Sequence, residues 1–286
     1  MNNPTILDII KRRSSWRTYD RNSPIPDEIL SQLKEYINSK NIVGPFGNEA
    51  RFQFLKIPEN ERNKINSDYG TYGFIKGAEF FLAGAIPKNK KILEDFGYIF
   101  EHIILKATEL DIGTCWMAGT FKRSTIAREI KLQSEEVIPA ITPIGIPSKN
   151  RRLIGKIMRM AIRAKVRKPW EALFFSETFE PLSIENLDES LKVALEMVRL
   201  APSAKNKQPW RIVVDHNSNI HFFIEMDSRS GRVLNYQKLD IGIALCHFEL
   251  TMRDFEKDGN WKTINPIFVY NSNKYHYVTS WIERDT

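Results

Sequence analysis

Two short segments of the 286-residue chain concentrate the residues able to do chemistry. Arg13-Ser14-Ser15-Trp16-Arg17 packs two guanidinium groups and two hydroxyls into five positions. Far along the chain, Ala201-Pro202-Ser203-Ala204-Lys205-Asn206-Lys207-Gln208-Pro209-Trp210 ends an apolar helical pattern in a polar turn. Neither places a nucleophile beside a base. The five histidines are scattered without a ligand cluster. No metal cluster or nucleophile–base pair competes for the role of active centre. Taken alone, each segment has a plainer meaning: Arg13 and Arg17 as surface charges, and Pro202-Ser203 as a helix-ending turn.

Composition is that of an ordinary globular chain, with 42% hydrophobic and 27% charged residues. The length suits one large domain or two ordinary ones. No apolar run reaches the roughly 20 residues that span a bilayer, and the start of the chain lacks a signal-peptide pattern. Cys115 and Cys246 lie in apolar helical patterns, which reads as a buried, reduced pair in a cytoplasmic protein. The net charge of +7 is uneven, with nine Lys or Arg residues and no acid from Lys149 to Lys168. Such a stretch can be a solvated helix flank, a surface for anionic membrane or nucleic acid, or a phosphate site at its C-terminal end.

The chain also resembles itself. Asp95, Gly97 and His102 align with Asp240, Gly242 and His247 at an offset of 145 residues, and the same offset carries Trp116 onto Trp261. Asp27-Glu28 and Asp188-Glu189 each open a helical run, and each run is followed by a short β-type segment beginning at Arg51 or Arg211. The shared order indicates duplication. Periodicity predicts helices at 5–13, 26–39, 91–110, 123–131, 187–200 and 236–256. Strands are expected at 51–57, 78–86, 137–146, 210–215, 219–226, 266–270 and 275–281. This pattern predicts α+β layers around mainly antiparallel sheets. The expected halves are 1–172 and 173–286, intertwined as one unit.

These motifs in this order resemble the nitroreductase-like flavoproteins. The first segment matches an Arg-x-Ser-x-Arg-x-aromatic pattern ending at Tyr19, and Ala201 to Trp210 matches Ala-Pro-Ser-x-x-Asn-x-Gln-Pro-Trp at every specified position. Gly113-Thr114-Cys115-Trp116-Met117-Ala118-Gly119 resembles the family's Gly-rich turn, and Lys165-Val166-Arg167-Lys168-Pro169 its basic pair before proline. The resemblance implies a nitroreductase-like fold, FMN as cofactor and NAD(P)H as electron donor. Arg13, Ser15, Lys165 and Arg167 are then expected on the FMN phosphate, Ser14 among the cofactor-binding residues beside them, and Arg17 near the ring's N1 and O2. Trp116, Met117, Ala118 and Gly119 form the turn whose backbone N–H serves N5. Pro202, Ser203, Ala204 and Asn206 line the ring, and Thr71 and Gly73 reach its pyrimidine edge. Gln208 and Trp210 are read as bracing the turn and core.

Each half lacks what the other keeps. Gly44-Pro45-Phe46-Gly47-Asn48-Glu49-Ala50-Arg51 occupies the place of the Ala-Pro-Ser motif without its Ser or Gln-Pro-Trp, and Phe175 to Leu182 contains no basic residue. The resemblance therefore implies a single-chain pseudo-dimer formed by internal duplication, monomeric, with one complete FMN site. The expected activity is transfer of electrons from NAD(P)H to a small electrophile such as a nitroaromatic or quinone, in the cytoplasm, without nucleic-acid or membrane partners. The alternative is a flavin-binding sensor or carrier without turnover.

Overall fold

An uninterrupted apolar run, Phe80 to Ile86, has no polar face to turn to water and becomes the central strand of its sheet. The computed structural model in which it sits describes residues 4–39, 42–59, 69, 71, 73–88, 92–148, 166–185, 187–225, 236–264 and 266–284. The chain forms two compact units, Arg12–Ala164, and Met1–Lys11 with Lys165–Thr286. The short helix α1 (Ile6–Arg12) lies at the first junction.

Unit Arg12–Ala164 contains α2 (Asp27–Ser39), β1 (Arg51–Lys56), β2 (Phe80–Pro87), α3 (Ile92–Glu109), α4 (Arg123–Glu129), β3 (Glu136–Val137) and β4 (Ile141–Ile144). Strand β2 pairs antiparallel with β1 (Phe52 opposite Gly84), β4 (Leu82 opposite Thr142) and β3. Helix α3 is buried on nearly every face, as expected of an apolar helix laid across a sheet. It approaches the sheet closely at Gly84, where an added Cβ would lie 2.4 Å from the Phe96 ring and 2.7 Å from the Phe52 ring.

The other unit contains β5 (Phe174–Ser176), α5 (Glu189–Leu200), β6 (Trp210–Val214), β7 (Ile220–Glu225), α6 (Tyr236–Asp254), β8 (Gly259–Lys262) and β9 (Tyr275–Glu283). Its sheet runs β5-β6-β7-β9-β8, antiparallel except for the β5–β6 pair. The two units repeat one order: helix, two strands, long helix, later strand. They also repeat one adjacency, β1-β2-β4 in the first and β6-β7-β9 in the second. This is the mixed, antiparallel-rich architecture expected from the sequence.

Two strand expectations are corrected. The predicted strand at 137–146 is broken into β3 and β4, with Pro139, which has no N–H to donate, at the break. No strand forms at 266–270, where Ile267 and Val269 are each 93% exposed and Pro266 opens the segment. Sheet pairing goes instead to β8, beyond the helix predicted at 236–256, which places Trp261 opposite Trp281. Strand β5 was too short to register as a period-2 pattern. Of the basic stretch 149–168, all but residues 166–168 lies outside the described residues.

Gly84→Ala tests the α3–β2 approach. We expect it to lower unfolding free energy by about 1–3 kcal/mol, because buried rings must shift to admit the methyl. A urea midpoint equal to that of the native sequence would contradict the close packing.

Candidate functional site

In unit Arg12–Ala164, the basic motif is an extended segment held by backbone pairing on both sides. Trp16 N–H donates to the Thr114 carbonyl at 2.7 Å, bridging Ser15 to Thr114. Lys76 N–H donates to Arg17 and Tyr19 N–H to Lys76, both at 2.9 Å. The Gly-rich turn is fixed in its own right, because Met117 and Ile141 exchange hydrogen bonds of 3.0 and 2.9 Å. Segments separated by some sixty to a hundred positions in sequence are thus joined: the basic motif, the 113–117 turn and the loop through Lys76. Thr71, fully buried, accepts the Phe74 N–H in that loop at 2.9 Å, and Gly73 adopts a left-handed φ of 79°.

The aromatic that closes the motif anchors it. Tyr19 is 3% exposed and its ring covers Gly145, where an added Cβ would come within 2.9 Å of the ring. Its hydroxyl donates to the Trp16 carbonyl at 2.8 Å. Burial, and then the neighbouring Cys115 thiol, hold that hydroxyl well above the usual tyrosine range, against a smaller opposing effect of Arg17.

Arg13 is almost wholly buried. Its Nε lies 3.7 Å from Glu101 Oε1, with side-chain exposures of 9% and 0%, and it has no hydrogen-bond partner among the described residues. The other Glu101 oxygen accepts the Trp116 indole N–H at 2.7 Å. Trp116 also stacks edge-on against Phe100 at 4.8 Å, so its side chain belongs to the α3 core. The Ala118 carbonyl accepts from Arg123 Nη2 at 2.7 Å, while Nη1 donates to the Ile138 carbonyl. In a trans peptide the N–H points opposite the carbonyl, so Arg123 directs the Gly119 N–H away from itself.

In the other unit, the Ala201–Trp210 turn is tightly cross-braced. Ser203 Oγ accepts the Gln208 N–H at 2.9 Å, and Asp240 Oδ1 on α6 accepts the Ala204 N–H at 2.9 Å. Arg167 donates to the Leu200 carbonyl at 2.9 Å and to Asn206 Oδ1 at 3.3 Å, while Asn206 Nδ2 donates to the Val166 carbonyl at 2.8 Å. Gln208 accepts the Lys168 N–H at 2.8 Å, and Trp210 is fully buried, so both brace the turn as expected. Lys205, Asn206 and Gln208 have φ of 53°, 56° and 47°, a costly left-handed cluster for residues other than glycine. Lys165 lies outside the described residues.

The family model described as "Putative TM nitroreductase" matches residues 5–252. The chain belongs to this nitroreductase family. The match spans both the basic motif and the Ala-Pro-Ser turn. Among solved structures, a nitroreductase-family protein of Thermotoga maritima is 18% identical with a TM-score of 0.62, covering 99% of this chain and 95% of that one. It shares the fold. An FMN complex of a nitroreductase-family protein from Desulfovibrio desulfuricans is 20% identical, TM-score 0.41, covering 55% of this chain and 96% of that one. An FMN-dependent nitroreductase of Clostridium difficile R20291 is 21% identical, TM-score 0.41, covering 50% and 88%. No curated protein matches the chain.

Two residues of this nitroreductase-family chain escaped the sequence reading. Glu101 was visible only as a lone acid inside the apolar run of α3. Arg123 was masked by its position at a helix start, where a charge draws no notice. Among the described residues, no group of three or more His, Cys, Asp or Glu could hold a metal, and no helix is long and apolar enough to cross a membrane.

Asp240 makes the turn sensitive to pH. Burial pushes its carboxyl from 3.8 up to about 8, opposed by the Ala204 N–H and by Lys207. Between those two values the native chain holds one more proton than the unfolded chain, so stability falls as pH rises. The slope approaches about 1.4 kcal/mol per pH unit. Asp240→Asn is expected to remove this decline between pH 5.5 and 7.5. Urea titrations showing equal declines in both proteins would refute the assignment.

Proposed function

We propose that this chain is an FMN-dependent oxidoreductase that passes electrons from NAD(P)H to a small electrophilic acceptor, such as a nitroaromatic or a quinone. The observation that carries the reading is the convergence, within one unit, of the basic motif, the Gly-rich turn and the 71–76 loop. Membership of the nitroreductase family supports it. We propose cytoplasmic residence on the buried free cysteines, Cys115 and Cys246.

The residues fit the cofactor. Arg13 keeps a buried Nε with no hydrogen-bond partner among the described residues, a donor that suits the phosphate of FMN. Ser14, Ser15, Lys165 and Arg167 are the remaining candidates for that phosphate, which carries about −1.5 to −2 charges. Arginine suits it because its planar fork matches phosphate oxygens in pairs. Arg17 would place a fixed cation at the ring's electron-rich edge. Trp116, Met117, Ala118 and Gly119 supply backbone at the ring, and the Gly119 N–H, oriented through Arg123, is the preferred donor. Thr71, Gly73, Pro202, Ser203, Ala204 and Asn206 complete the proposed contacts.

When bound, FMN would supply the electron-transfer chemistry, and the protein's part is binding and orientation. Arg13 would be held ready by Glu101. The Ser203–Asn206 turn would be kept rigid by Asp240, Gln208 and Arg167, because a strained turn keeps its shape only when its surroundings over-determine it. The complementary motifs imply one FMN per chain, the two halves acting as a single-chain pseudo-dimer.

The purified protein should be yellow, carry one FMN per chain and bleach under anaerobic NADH or NADPH. Two FMN per chain would refute the complementation of the halves, and a flavin left oxidised by both nucleotides would refute the activity. Arg13→Ala combined with Arg167→Ala should release flavin while the far-ultraviolet circular dichroism is kept. A fully loaded double variant would overturn the phosphate assignment.

A further inference from the structure

A second concentration of positive charge lies in the unit that carries the Ala-Pro-Ser turn, on residues so far without a role. Arg211, at the start of β6, is paired with Glu225 at the end of β7. Lys168 Nζ lies 3.8 Å from the same carboxylate and Lys274 Nζ 3.5 Å from it. Among the described residues, three cations thus share one carboxylate, leaving two positive charges in excess within the cluster. Glu225 is further fixed by Gln237 in the first turn of α6, which donates to its backbone carbonyl at 2.7 Å. That bond brings the positive end of a 19-residue helix to the same place.

The cluster is ordered rather than diffuse. The Arg211 side chain is 6% exposed and also donates to the Gln208 carbonyl at 3.1 Å and the Trp210 carbonyl at 2.6 Å. It contributes field from within. Lys168 and Lys274 are more exposed, at 33% and 53%, and Lys274 Nζ also lies 4.9 Å from the centre of the Tyr275 ring. Burial first, then the charges of Arg211 and Lys274, hold the Lys168 ammonium below the usual lysine range, against the pull of Glu225. An anion would relieve that crowding.

We propose that Lys168, Arg211 and Lys274, organised around Glu225, form a seat for a phosphate monoester. Two excess charges match a group carrying about −1.5 to −2, and lysine ammoniums bind phosphate as point charges. A singly charged carboxylate would leave the excess half neutralised. The seat adjoins the turn through Gln208, which accepts the Lys168 N–H and, through its own carbonyl, an Arg211 N–H. Resting on the oxidoreductase reading, NADPH would bring such a group here as its adenosine 2′-phosphate, the FMN phosphate being proposed on Arg13, Ser14, Ser15, Lys165 and Arg167.

The test titrates the purified flavoprotein and its Lys168→Gln/Lys274→Gln variant with inorganic phosphate by calorimetry, and reads flavin per chain from absorbance. The expected result is phosphate binding weakened at least about tenfold in the variant, with its flavin retained. Unchanged phosphate binding would overturn the proposal. NADP⁺ and NAD⁺ differ only in the 2′-phosphate and show whether the dinucleotide uses the seat. A preference for NADP⁺ that vanishes in the flavin-loaded variant assigns the seat to the dinucleotide, and loss of flavin from the variant overturns that assignment. None of these measurements needs turnover, so a protein whose flavin neither nucleotide bleaches would fail as an oxidoreductase and still report on the seat.

Discussion

The architecture of both units depends on a buried aspartate near the N-terminus of each long helix. Asp95 of α3 accepts the N–H groups of Phe46 and Asn48, each at 2.9 Å, and the Asn48 side-chain amide at 2.7 Å. Asp240 of α6 accepts the Ala204 N–H. In each case the donor lies in the irregular loop that follows the preceding helix. Such a loop cannot satisfy its own backbone groups, and a buried N–H left unpaired is expensive. A carboxyl group presented from the neighbouring helix meets the need and sets where the loop sits. Burial raises the carboxyl of each aspartate, but Asp95 has three donors to offset it, whereas Asp240 Oδ2 has no hydrogen-bond partner among the described residues.

Around those anchors the two loops have diverged. The 44–48 loop, with glycine at 44 and 47, relaxes onto Asp95. The 201–208 turn carries left-handed backbone at lysine, asparagine and glutamine and is held by side chains from three directions: Asp240, Arg167 and Ser203. Strain maintained at this density is characteristic of binding sites. It also explains why Gln208 belongs with Ser203 in one motif, since each fixes the other.

Much of this was legible in the sequence because it is written in residue pairs. Asp95 and Asp240, Trp116 and Trp261 recur at one offset, and each tryptophan indeed donates its indole N–H to a buried glutamate, Glu101 or Glu249. Helix boundaries followed apolar periodicity to within a few residues. What stayed hidden depends on long-range geometry. The 266–270 segment reads as a strand by residue type, yet β8 already occupies the edge of β9, and the segment leaves Ile267 and Val269 in solvent while Phe268 and Tyr270 pack on Phe223 of β7. Nothing in the types Lys205 or Gln208 announces positive φ, and nothing near Glu101 in sequence announces Arg13. The sequence division at 172/173 and the compact units differ for the same reason: contacts, which composition does not record, assign residues 165–172 to the second unit and α1 up to Lys11 with it.

The pairing of Arg13 with Glu101 also decides when a free-energy penalty is met. A guanidinium exposed in the empty protein must shed its water as a ligand arrives, which weakens binding by the desolvation of the cation. Arg13 has already been dehydrated by folding, with Glu101 as its interim counter-charge. Dehydration of this cation is therefore charged to the stability of the fold and not to the affinity of the site. On the proposed phosphate role of Arg13, the protein would give up some of its margin against unfolding so that an anion would find its partner already dry.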